Sequence, residues 1–296
     1  MMGETTMNLA DEATAEAVLR AELARETRAL GSVVPVLRHL LASEGQRLVS
    51  DAVLARVRGM LGDLAAQLFA AGHTGPPEAL IESLAADPGL LVFCHALAAE
   101  SQLCERLHQQ RGLDPVLSPL LQELIASDIP AIAELAMNTL AAQSRFVQTQ
   151  RRMQLPLAEL PAELFAAVLR AGGNPAACAV LQQSYDEGAS RLGLLARLVA
   201  AMRRGAVAAL ALDHAGPSLF ASALATLASQ TRETAVLACH EGQGVRLALA
   251  LRTAGLTPEA IERQFLTLHP AAPMPRELAA LSPERARLLL GAAGVD

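Results

Sequence analysis

Residues 128–161, DIPAIAELAMNTLAAQSRFVQTQRRMQLPLAELP, carry the pattern that decides the fold class. Asp128 offers a side-chain oxygen at an N-cap position. Pro130 falls in the first turn, where a missing N–H costs nothing. A long helical pattern follows, until Pro156 and Pro161 break it. Its first half is apolar and rich in alanine; its second half, Gln143 to Gln154, is densely polar. The stretch divides the chain into two helical halves, 1–155 and 156–296.

Working outward, the same punctuation recurs. Asp87-Pro88, Asp114-Pro115, Asn174-Pro175, Thr257-Pro258 and Ser282-Pro283 each pair a capping oxygen with a proline preset for a first helical turn. Residues 1–10 are expected to fray, and 11–30 form a charged helix. From Gln46 to Ala71, Val49, Val53, Val57, Met60, Leu64 and Leu68 recur at steps of three and four, one stripe of an amphipathic helix. A seam this long and regular predicts packing in a bundle, within the chain or across a dimer, and 46–71 is expected to serve as a dimerisation helix. The sequence GHTGPP, 72–77, predicts a loop. No segment alternates with period two for long enough to make a strand, so the fold class is all-α: an N-terminal bundle followed by a solenoid-like half. The latter rests on a 26-residue offset between His214-Ala-Gly216…Thr231 and His240-Glu-Gly242…Thr257.

Composition narrows function. The 296 residues are 52% hydrophobic and only 2% aromatic, with a net charge of −6. Every basic side chain but histidine is an arginine. A chain of this charge without stacking aromatics is not expected to bind nucleic acid. The acidic N-terminus lacks the pattern of a signal peptide, and Asp213, His214, Gly216 and Pro217 interrupt the most apolar run. Neither membrane nor export is expected, and four cysteines without a disulfide framework suit the reducing cytoplasm.

Motifs for chemistry are sparse. Cys104 and His108 have a metal-ligand spacing, but no second pair completes a site, so no metal is expected. His214 and His240 are expected near helix C-termini, answering the macrodipole. No phosphate loop, dinucleotide fingerprint, zincin motif or nucleophile elbow occurs, and no cofactor is expected. One cluster stands out. Arg145, Thr149 and Arg152 follow helical spacing with Glu134 and Asn138, and Arg151 lies beside them. Arginine forks to carboxylates and tolerates desolvation, which makes this face the candidate partner-binding site.

The runs SPLLQELIASDIPAIAELAMNTLAAQSRFVQTQRRMQLPLAELPAELF and LACHEGQGVRLALALRTAGL resemble an alphaproteobacterial family known only as a domain of unknown function. The resemblance implies an all-helical bacterial cytoplasmic protein with HEAT-like repeats and carries over no functional residue. Residue pattern and resemblance together lead to a non-catalytic scaffold or adaptor, forming a homodimer and binding an unidentified protein partner. The alternative is an enzyme or small-ligand sensor with a pocket between the halves, near LPLAELP.

Overall fold

Helix starts are where local chemistry decides most in this chain. In the computed structural model, which describes residues 2–42, 50–172, 175–271 and 274–292, the helices are α1 (Met2–Gly31), α2 (Val33–Ala42), α3 (Asp51–Ala70), α4 (Pro77–Ala85), α5 (Pro88–Arg111), α6 (Pro119–Ile125), α7 (Pro130–Arg151), α8 (Ala162–Gly172), α9 (Pro175–Ser184), α10 (Arg191–Met202), α11 (Leu212–Ala228), α12 (Arg232–Ala238), α13 (Gly244–Thr253), α14 (Pro258–Leu268) and α15 (Pro283–Ala292). Short 3₁₀ turns link several of them, and no strand occurs among the described residues. The chain is all-α.

The capping oxygens of Asp87 and Thr257 accept from the N–H groups of Leu90 and Ala260, as their sequence context predicts. Ser282 likewise accepts from Arg285. Two expectations fail. The residue capping α7 is Ile129, with no side-chain bond, while Asp128 stays outside the helix. Asp114 turns its carboxylate onto the N–H groups of Val116 and Leu117 and closes a turn, and the next helix starts at Ser118-Pro119. An Asx turn and an N-cap use the same bond, so dipeptide chemistry alone does not separate them. Asn174 lies outside the described residues. The N-terminus is helical from Met2, not frayed.

The α3 seam requires a second correction. Val57, Met60 and Leu64 have no exposed surface, and Val53 and Leu68 are nearly as buried, all within one chain. They pack into a core with Leu80 and Leu84 of α4, Leu90, Leu91 and Cys94 of α5, and Val168 and Leu169 of α8. Within the helix expected to dimerise, 46–71, the described seam from Val53 to Leu68 is covered by its own chain, because α4, α5 and α8 present the apolar faces that a second copy was expected to supply. Val49 lies outside the described residues.

Packing crosses residue 155 in both directions. Helix α8 joins the N-terminal core, whereas Leu19 and Leu23 of α1 join the core formed by α10 to α15. One carboxylate fixes that long reach. Glu26 accepts from the N–H groups of Val245 and Arg246 at 2.8 and 2.7 Å, capping α13, whose own N-cap residue Gln243 makes no side-chain cap bond. Helix α5 runs through the middle and packs against α2, α3, α7, α11 and α12. No single described helix is long and apolar enough to cross a membrane; α4 and α5 together have the composition but are bent by 86°.

Candidate functional site

At the centre of α5 an acidic residue faces inward. Glu100 is 1% exposed and is held from both sides. Arg191 binds its two oxygens at 2.8 Å each. Arg232 binds the same pair at 2.8 and 2.7 Å. Ser218 donates to Oε1 at 2.7 Å. Burial alone would raise the carboxyl, but the charges and hydrogen bonds of Arg191 and Arg232 outweigh it and hold Glu100 well below the usual carboxylate range. Two cations on one anion leave the cluster with a net positive charge.

Backbone geometry brings Ser218 there. Gly216 takes φ +71°, breaking α11 so that a fresh helical turn begins at Pro217. A side chain at Gly216 would also press on Ser118 Cβ at 3.1 Å. Ser218 then receives the amide of Gln143 at 2.9 Å, and Gln143 Oε1 accepts from Arg191 at 3.2 Å.

Arg191 has a second aspect. Its guanidinium carbon lies 3.6 Å above the Phe146 ring, and both residues line a cleft of about 390 Å³. The cleft lies where α7 ends, between Met153–Glu159 and the 184–192 stretch that leads into α10. Phe93 and Leu97 of α5, Phe146 and Leu155 supply apolar lining. Arg145, Thr149 and Arg152 also line it; Arg151 is exposed but not among the lining residues. Neither the Arg145 nor the Arg152 guanidinium has an ion-pair or hydrogen-bond partner among the described residues. The face picked from helical spacing therefore borders a cavity that the spacing did not reveal.

Polar side chains of α3 fix the junction below it. Asp63 accepts from the Leu155 N–H at 3.0 Å. Gln67 donates to the Leu155 carbonyl and accepts from the Leu157 N–H, both at 2.9 Å. Glu159 accepts from the Arg191 N–H at 2.7 Å, tying the junction to α10. Met153 adopts φ +57°, and Gly59 packs so close that a Cβ there would lie 2.4 Å from Met153 Cβ and 2.8 Å from its carbonyl oxygen. Gly59→Ala is therefore expected to displace this turn and cost about 1–3 kcal/mol, measured by urea unfolding. An unchanged midpoint would show that the turn yields freely.

The remaining candidates do not converge. Cys104 is buried, and burial pushes its thiol up to about 12, whereas His108 is exposed and contacts the Leu113 carbonyl. Among the described residues no group of three or more His, Cys, Asp or Glu side chains could hold a metal ion. His214 lies in the single helical turn from Leu212 to Ala215 that ends at the Gly216 break, 3.3 Å from Glu123, where one turn has no macrodipole to answer. His240 follows α12 and accepts from the Gly242 N–H. Comparison with family models, curated proteins and solved structures finds no match for this chain.

Proposed function

We propose that the chain is a non-catalytic helical scaffold or adaptor that engages an acidic surface of a partner protein through Arg145, Thr149 and Arg152, with Arg151 beside them. The observation that carries this reading is the pair of unpartnered guanidiniums at a preformed cleft. Unpaired arginines beside apolar surface are what interface hot spots are made of. A chemical centre is disfavoured because no histidine or cysteine is among the described residues that line the cleft; its two carboxylates, Glu159 and Asp186, each accept one backbone N–H, from Arg191 and Gly188.

The same reading takes the chain as an N-terminal bundle followed by a helical-repeat half, in a bacterial cytoplasm where its four free thiols stay reduced. The matched roles of Thr231 and Thr257, which cap α12 and α14, support the repeat. It also takes the protein as a homodimer joined by a surface other than the α3 seam, which light scattering at micromolar concentration tests. For the partner face, Arg145→Ala/Arg152→Ala protein with unchanged helicity and melting is expected to lose partners that wild type captures in its own host, identified by mass spectrometry. Recovery of the same partners at the same yield would overturn the proposal.

A further inference from the structure

The cleft has two chemistries at two levels. The buried rings and leucines Phe93, Leu97, Phe146 and Leu155 line it, and the free charges of Arg145 and Arg152 lie on the exposed face of α7. Resting on the adaptor reading, we infer that the occupant is a short partner segment in which one bulky apolar side chain enters the cleft and two flanking carboxylates meet Arg145 and Arg152.

Three observations select this chemistry. The described residues contain no strand and offer no strand edge, so an extended peptide docked on them gains no backbone ladder and binds through its side chains. Glu159 and Asp186 keep their negative charge on the other wall, whereas the α7 side of the cleft carries only the positive charges of Arg145 and Arg152. The volume of about 390 Å³ lies at the small end of ligand sites, room for an anchoring side chain but not for a folded element. Spacing adds a register. Seven residues along a helix span about 10 Å at 1.5 Å each. An extended segment covers about 10 Å in three residues. Side chains of an extended segment alternate between faces, so both carboxylates and the apolar residue share the cleft-facing side in acidic–any–apolar–any–acidic, about 13 Å from end to end, with the apolar residue over the cleft and one carboxylate within reach of each flexible guanidinium.

The test is fluorescence anisotropy with a labelled peptide, Gly-Ser-Asp-Ser-Phe-Ser-Asp-Gly, and two relatives, one with serine for phenylalanine and one with asparagine for both aspartates. The first is expected to bind at least tenfold more tightly than either relative, and tenfold more tightly to wild type than to Arg145→Ala/Arg152→Ala. Ala158→Phe fills the cleft from an exposed lining position and leaves both arginines in place; it is expected to abolish binding. Should that variant lose helicity, Ser184→Phe, at another exposed lining position, takes its place. Equal binding of the serine peptide, or full binding by the filled variant, means a contact of charge alone: this inference falls and the adaptor reading stands. Binding of decanoate with no binding of any peptide overturns both. No binding of any probe overturns the inference, and capture from the host then decides the adaptor reading separately.

Discussion

Glu100→Gln is expected to destabilise the protein by about 3–5 kcal/mol, because it leaves two guanidiniums facing a neutral amide in the interior. Arg191 is 2% exposed, and the Arg232 side chain only 14%, so neither can swing to water without opening the helices around α5. The measurement is urea unfolding with a parallel thermal melt, where such a loss lowers the midpoint by roughly 10 °C. A loss below about 1 kcal/mol would mean that both cations find other partners. The companion variant Glu100→Leu/Arg191→Met/Arg232→Met removes all three charges and is expected to recover most of the loss, since apolar packing often replaces a buried ionic cluster without cost. The cleft should register the difference. Arg191 stacks on Phe146 at its lining, so peptide affinity is expected to fall in the triple variant even where stability returns.

The second large effect is acid sensitivity well above the range in which carboxylates titrate. Burial lowers His95 to about 4, with the nearby charge of His240 adding to it. Burial likewise lowers His269 to about 4, with Arg106 the next contributor. Each ring is therefore neutral in the folded chain and protonates near pH 6.5 once unfolded. The unfolded state binds more protons between those values, so this stability is present above pH 6.5 and lost as pH falls towards 4. Each histidine accounts for about 1.4 kcal/mol of loss at pH 5.5 and about 3 kcal/mol at pH 4. Glu26 acts with the opposite sign: burial raises its carboxyl more than the Val245 and Arg246 N–H groups lower it, so its share of stability is present at low pH and lost as pH rises. The Glu100 cluster contributes above the unfolded carboxylate range and fails only in stronger acid. Urea unfolding at pH 7, 5.5 and 4.5 separates these limbs. Replacing His269 by leucine should flatten the slope between pH 6.5 and 4.5 by about half; an unchanged slope would place the titration elsewhere.

What could be read from the sequence was local. Period-3.6 spacing found α3 and the shared face of Arg145, Thr149 and Arg152, because helical geometry alone puts residues three and four apart together. Thr257-Pro258 and Asp87-Pro88 started helices because a cap and its recipient lie within one turn. Glu100 was invisible for the opposite reason. It sits in a helix with ordinary polar neighbours, Ser101 and Gln102, and its partners lie 91 and 132 residues away. Only the break at Gly216, the start of α10 and the start of α12 bring Ser218, Arg191 and Arg232 to it. The α3 seam was legible as a buried stripe, but a stripe does not say what buries it. The place of the cleft was anticipated, since Leu155, Pro156, Ala158 and Glu159 of LPLAELP line it, but its other walls were beyond reach: they come from α5, α7 and the approach to α10, and no spacing links those segments.

The bond between Glu26 and the start of α13 also bears on how the chain is made. The two ends of that bond are separated by 219 residues. At roughly 5–20 residues per second of synthesis, α1 leaves the ribosome some 10–45 s before its partner exists. For that interval the first helix must stay in water with Leu19 and Leu23 uncovered. Its many charged residues, and pairs such as Arg20 with Glu16 and Arg25 with Glu22, suit a segment that waits. The core containing α3, α4, α5 and α8 can close meanwhile. A helix synthesised well before its partners is then among the last to dock, and a chain released before Val245 and Arg246 emerge has nothing for Glu26 to hold.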